Sequence, residues 1–207
     1  MLNSSPMDAR RPSDTESIEP NAPSVEAAFL AAPDYLVAEI LEGELHLSPR
    51  PAMPHGYAAS GLGGLLISPL MFGRGGPGGW IILVEPEIHL GPRPDRIVPD
   101  LAGWRRERMP RLAEGEKPPA HYSHAPDWVC EVLSPSTRAR DKGVKMRIYA
   151  REGVKHLWHV EPLERRLDIY RLSEGQWVLA QSFGQDERVH AEPFEALELE
   201  LALLWLK

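Results

Sequence analysis

The run Asp127-Trp-Val-Cys-Glu-Val-Leu133 is the segment that most restricts how this chain can fold. From Trp128 onward it is apolar at every position except Glu131, and a strand apolar on both sides belongs inside a sheet covered on both faces. A carboxylate in the middle of such a strand costs several kcal/mol unless it is paired or bound to a cation. Glu131 therefore marks either a structural ion pair, with an arginine from the basic connection Arg105–Ala125, or a place where chemistry is done. Cys130 points to the opposite side of the strand and reads as a small buried hydrophobe. It is the one cysteine in 207 residues. That excludes a disulfide framework and any multi-cysteine zinc or iron–sulfur site, and it fits a reducing cytoplasm.

Around this strand the chain is expected to form an α/β (α+β) fold, in which helices flank a mixed central sheet. Residues 1–24 are rich in Ser, Pro and charge, which predicts a disordered tail ahead of a single domain over 25–207. A short helix over Val25–Ala32 ends at Pro33. Tyr35–Leu41 and Glu44–Ser48 form an N-terminal hairpin about Glu42-Gly43. His55 to Phe72 follows helical spacing, weakened by Gly61, Gly63 and Gly64, which permit close packing against a sheet. The glycine loop 73–79 lacks the Gly-Lys-Ser/Thr of a P-loop. Trp80–Val84, Glu87–Leu90 and Ile97–Trp104 read as strands, the last with a Pro-Asp step inside it. Pro135–Glu152 is a helix stopped by Gly153. Lys155–Val160, Arg165–Leu172 and Gln176–Ser182 make a C-terminal β-meander, and Phe194–Leu206 reads equally as strand or helix.

Two carboxylates offered from neighbouring strands, Asp100 and Glu131, make a hard-oxygen site suited to Mg²⁺. A lysine beside such an ion orients water or stabilises charge on a phosphate, and Lys145 is the candidate. Asp141, Lys145 and Tyr149 recur every four residues, so they share one helix face. Plainer readings stand beside these. Asp100 can shape a turn after Pro99, Lys145 can be a solvated charge with Lys142 competing for its role, and Asp141 can be an early-helix acid. Glu44, next to the hairpin turn, is a weaker candidate for the same site. His121 and His124 form a loop HxxH pair with no third ligand at fixed spacing.

Pro99-Asp100-Leu101, the stretch Ala125–Thr137 (APDWVCEVLSPST), and Asp141, Lys145, Tyr149, Gly153-Val154, Trp158 and Glu161-Pro162 together resemble the Uma2 family. This is a family of endonucleases related to the PD-(D/E)XK restriction nucleases. Glu39–Leu45 (EILEGEL), with Ser48-Pro49 and His55, is similar to that family's opening hairpin and first helix. The resemblance spans Tyr35 to Leu201. It implies a restriction-endonuclease-like fold and cleavage of DNA that depends on Mg²⁺, with Mn²⁺ as a substitute. Asp100 then stands as the Asp of the PD motif and Glu131 as the second carboxylate, both holding the metal. Lys145 takes the lysine role from the helix, with Asp141 and Tyr149 in support. The sequence departs from the general nuclease pattern at Leu133, where a lysine two residues after the carboxylate is expected, and at His156, where relatives often carry an acid.

The formal net charge of −7 argues against a protein that coats nucleic acid by bulk charge. Its distribution is uneven. Residues 138–151 hold six cations against Asp141 alone, and 93–111 hold six arginines against three acids, whereas 185–207 is acidic. Arg138, Arg140 and Lys142 are thus the expected DNA-binding residues beside the carboxylates. A homodimer is expected, with apolar Leu201–Leu206 as its interface, and a cytoplasmic protein without a membrane span or secretion signal. A catalytically silent module that binds nucleic acid or protein on the same fold is the alternative to an enzyme.

Overall fold

The computed structural model describes residues 24–92, 95–110, 115, 117 and 120–206. The tail expected over residues 1–24 lies outside these except for Ser24, whose hydroxyl accepts the Ala27 N–H at 3.2 Å and opens helix α1 (Val25–Leu30). Strands β1 (Leu36–Leu41) and β2 (Glu44–Pro49) pair antiparallel. Glu42 and Gly43 between them take φ values of 51° and 87°, the positive values a two-residue hairpin turn requires. Helix α2 (Met53–Leu66) runs into a π-helical turn over Ile67–Met71. Strands β3 (Trp80–Val84), β4 (Ile88–Leu90), β5 (Asp95–Ile97), β6 (Leu101–Arg105) and β7 (Trp128–Val132) follow. An irregular helix comprises α3 (Arg138–Arg140), a π-helical turn over Asp141–Lys145 and α4 (Met146–Arg151). The chain ends with β8 (His156–Glu161), β9 (Arg166–Ser173), β10 (Gln176–Gly184), β11 (Arg188–Val189), β12 (Leu199–Glu200) and a 3₁₀ turn, Leu201–Leu204.

One sheet has the order β10-β9-β8-β7-β6-β3 and is antiparallel except for the parallel pair β7–β8. Parallel neighbours need a crossover, and the irregular helix supplies it. A second sheet has the order β2-β1-β5-β4. The result is the expected mixed α+β fold with an N-terminal hairpin and a C-terminal meander.

Strand β7 is buried along its whole length, as its composition dictates. Trp128, Cys130 and Val132 join a core with Leu62 and Leu66 of α2, Trp158, Phe194, Leu201 and Trp205. Val129 joins the other core, with Ile148 and Tyr149 of α4, Trp104 and Leu157. Cys130 and Glu131 therefore lie on opposite sides of the sheet, and Glu131 faces the irregular helix.

Three expectations are corrected. Ile97–Trp104 is not one strand: β5 and β6 belong to different sheets, broken at Val98-Pro99-Asp100. Pro99 has no N–H to give a ladder, and the Val98 N–H donates to the Glu39 carboxylate at 2.9 Å. The helix expected from Pro135 begins only at Arg138. Before it, the Ser134 hydroxyl bonds those of Ser136 and Thr137, each at 3.0 Å, and holds a non-helical turn. The apolar C-terminus is core, not a free interface: Leu201, Leu204 and Trp205 are buried, leaving Leu203 and Leu206 outward.

Candidate active site

The β6–β7 register pairs Leu101 with Cys130, which sets Asp100 beside Glu131 at the end of the ladder. Asp100 Oδ2 accepts the Val132 N–H at 2.6 Å, and Oδ1 lies 3.1 Å from Nε2 of His55, on α2. Glu131 is almost wholly buried. Its Oε1 accepts the Tyr149 hydroxyl at 2.5 Å, and Lys145 Nζ donates to both carboxylate oxygens at 3.2 Å. The π-helical turn widens the helix at Asp141–Lys145, so both of these charged side chains point inward and are buried. Lys145 Nζ also reaches Glu39 Oε1 at 3.0 Å, Asp141 Oδ1 at 3.6 Å and the Val98 carbonyl at 3.2 Å. A cavity of about 240 Å³ is lined by Glu39, His55, Asp100, Glu131, Asp141 and Lys145, among others.

Three carboxylates thus lie within 3.6 Å of one ammonium, and a fourth, Asp100, lines the same cavity. Burial pushes the Glu131 carboxyl well up, against the pull of Lys145, and the nearby acids Asp141, Asp100 and Glu39 add to it. Burial likewise raises Asp141. For Lys145 burial disfavours the charge, but Glu131, Glu39, Asp141 and Asp100 outweigh it and hold the ammonium well above its ordinary value. Burial and then Glu131 raise Tyr149, which keeps its proton. Burial lowers His55, yet the bond to Asp100 and the charges of Asp100, Asp141 and Glu85 together outweigh this and its pKa is raised.

The structure brings Asp100, Glu131, Lys145, Asp141 and Tyr149 together and leaves Glu44 out. Glu44's side chain is 82% exposed, with His46 Nε2 4.0 Å from its carboxylate. The acid of the hairpin that reaches the site is Glu39, a lone carboxylate in the apolar run of β1, the same signal that marks Glu131. His55 had no such signal. Of the three basic residues, Arg140 lines the cavity, donates to Ser48 Oγ and lies 3.8 Å from Glu39. Arg138 and Lys142 instead pair with Glu161, which is buried at the end of β8. His121 stacks on His89 at 3.6 Å.

The family model described as "Uma2: Putative restriction endonuclease" matches residues 27–203. The chain belongs to the Uma2 family. Its structure is similar to the crystal structure of a putative nuclease belonging to DUF820 from Anabaena variabilis, with a TM-score of 0.69. The two are 22% identical over 88% of this chain and 97% of the other, a likeness of fold. No curated protein matches the sequence.

The Mg²⁺ expected at this Uma2 site fits by donor type and charge. Carboxylate oxygens are the ligands a hard divalent ion takes, and the four acids Glu39, Asp100, Glu131 and Asp141 outnumber the two cations beside them, Lys145 and Arg140. Protein groups already engage these oxygens, however. Among the described residues no group of three or more His, Cys, Asp or Glu side chains is arranged to hold a metal ion. A cation entering the cavity competes with Lys145 for Glu131 and with His55 for Asp100.

His159 sits opposite Glu131 across the β7–β8 pair, fully buried, with neither ring nitrogen hydrogen-bonded among the described residues. Burial, helped by the charge of Lys142, pushes its pKa down to about 3. In the unfolded chain it binds a proton near pH 6.5, so the folded state holds fewer protons between these values. Stability from the neutral ring is complete above the unfolded pKa and is lost as pH falls toward the folded one. His159→Phe, which keeps a ring edge-on to Tyr170, is expected to remove up to about 3 kcal/mol of the loss seen on going from pH 7 to pH 4. Urea denaturation at both pH values measures this, and an unchanged acid loss in the variant refutes it.

Proposed function

We propose that this Uma2 chain is an endonuclease that hydrolyses DNA phosphodiester bonds with Mg²⁺, for which Mn²⁺ can substitute. The convergence of Asp100, Glu131 and Lys145 in one buried cavity carries the reading, and the family supports the nuclease class. Asp100 and Glu131 would hold the ion, which when bound polarises a phosphoryl oxygen and lowers the pKa of water. Lys145 stays an ammonium among its acids, so it donates hydrogen bonds to phosphate oxygens and does not act as a base. Tyr149 donates to Glu131 and fixes that carboxylate, while Asp141 and Glu39 aim the lysine. His55 orients Asp100. Arg140, at the cavity wall, is the best placed of the three basic residues to meet a phosphate. Arg138 and Lys142 would extend that surface only by leaving Glu161. A homodimer would present one site to each strand.

One observation favours a second reading. Every oxygen of Asp100 and Glu131 already has a protein partner, as in a catalytically silent module that binds nucleic acid on this fold. Supercoiled plasmid separates the two. The wild type is expected to nick it with Mg²⁺ or Mn²⁺ and not with EDTA, and Asp100→Asn to be at least about a hundredfold slower. Equal nicking by both proteins indicates a contaminant and sinks the proposal. Salt-sensitive DNA binding that survives Asp100→Asn, without metal-dependent turnover, establishes the silent module.

A further inference from the structure

A second cavity, of about 510 Å³, runs along the outer face of α2 and shares Pro51, His55 and Glu85 with the active-site cavity. Its floor is made of Gly56, Ser60, Gly64 and Ser68, four residues apart on one helix face. A helical glycine lowers stability relative to alanine, a cost that asks for a structural reason. Gly61 has an internal one, since a Cβ there would meet the Leu203 carbonyl oxygen at 2.8 Å. Gly56 and Gly64 have none, because a Cβ at either would meet nothing within 4 Å. What they preserve is the open floor of the groove.

His55 is the independent sign of a ligand. The residue is 9% exposed and lines both cavities. Its Nε2 is on Asp100, whereas its buried Nδ1 has no partner among the described residues. A buried polar atom without a partner, on a residue that lines both cavities, is one that a ligand or water atom can satisfy. At the far end Phe72 is 59% exposed, with the Arg74 guanidinium 6.0 Å from its ring centre. Among the described residues Arg74 is the only Lys or Arg in the lining, which is too little charge to follow the two backbones of a duplex. An exposed ring beside a floor of small residues is what an unpaired base stacks on, with the one acid of the lining, Glu85, at the end shared with the active-site cavity.

We infer that the α2 groove seats unpaired nucleotides flanking the scissile phosphate, with a base on Phe72 and a phosphate at Arg74. This selects unpaired or flapped DNA over blunt duplex, and it rests on the nuclease reading above.

Fluorescein-labelled single-stranded, flapped and blunt-duplex oligonucleotides test the seat by anisotropy on the full chain. Bis(p-nitrophenyl) phosphate, which needs only the active-site cavity, reports hydrolysis separately. The wild type is expected to bind the unpaired probes about tenfold or more tightly than blunt duplex. Gly64→Leu, which fills the groove and favours the helix, loses that preference without a lower Tm or slower bis(p-nitrophenyl) phosphate turnover. Phe72→Ala weakens single-strand binding about tenfold. Undiminished single-strand binding by Gly64→Leu, or equal loss on all three probes, overturns the seat and leaves the nuclease reading intact. Preference without hydrolysis of any substrate supports the seat and overturns the nuclease reading, and a wild type that binds no oligonucleotide overturns both.

Discussion

Glu131→Gln is expected to lower metal-dependent nicking by roughly a hundred- to a thousandfold while leaving the fold as stable as the wild type at neutral pH. Two arguments point the same way. Glutamine keeps the size of the side chain, its carbonyl oxygen still accepts from Tyr149 and Lys145, and the one new cost, an amide NH2 in place of the second oxygen that Lys145 bonds, is offset by the charge removed. The substitution also removes a charge that its surroundings disfavour, since burial and three neighbouring acids raise the Glu131 carboxyl well above its ordinary range. Lys145 retains Glu39 and Asp141 as counter-ions. The lost charge is the one a divalent ion needs. Plasmid nicking and thermal unfolding of the same preparations measure both halves. A loss of several kcal/mol on unfolding would recast Glu131 as a structural ion pair. Full activity would remove it from the metal site.

Glu131 was readable because a burial rule was broken in plain view: one acid in a strand apolar on both faces. Glu39 breaks the same rule in β1, but a hairpin is ordinarily half exposed, so an acid there passes as a solvent-facing residue, which Glu44 beside the turn is. Local turn chemistry was equally legible. Glu42-Gly43 takes the positive φ values that a two-residue hairpin turn requires. What could not be read were pairings made at long range. Helical spacing shows Arg138 and Lys142 near Lys145, but not that β8 ends in a buried Glu161 that takes both. Nor does a Pro-Asp step reveal that the chain changes sheets there, because the Val98 N–H that would continue a ladder finds a carboxylate on β1. His55 reaches Asp100 only through the packing of α2 on the sheet. Net charge excludes a uniformly basic protein and says no more, since it averages over a site in which acids are concentrated.

Lys145→Met should show how far the fold itself depends on this site. Lys145 links four parts of the chain: Glu39 on β1, the Val98 carbonyl at the β5–β6 break, Glu131 on β7, and Asp141 in its own helix. Methionine fills similar space without the charge and leaves buried acids unpaired, a change that costs about 3–5 kcal/mol. The cost depends on pH with a definite sign. Burial already raises Glu131 and Asp141, and without the ammonium both rise further. The folded variant then binds more protons than its unfolded chain, so its stability is greatest below the unfolded carboxylate pKa and is lost as pH rises through the folded values. In the wild type Lys145 itself is raised, so its contribution persists below its unfolded pKa and is lost only at strongly alkaline pH. The stability gap between the two proteins should therefore be wide at pH 8 and narrow toward pH 5, as read by urea denaturation. A gap of equal size at both would mean that packing, not charge, is what Lys145 supplies. Adding Glu131→Gln to Lys145→Met should recover part of the loss at pH 8, since the worst of the unpaired acids is gone. It should recover none of the nicking, because the double variant has neither the carboxylate for the ion nor the ammonium for the phosphate.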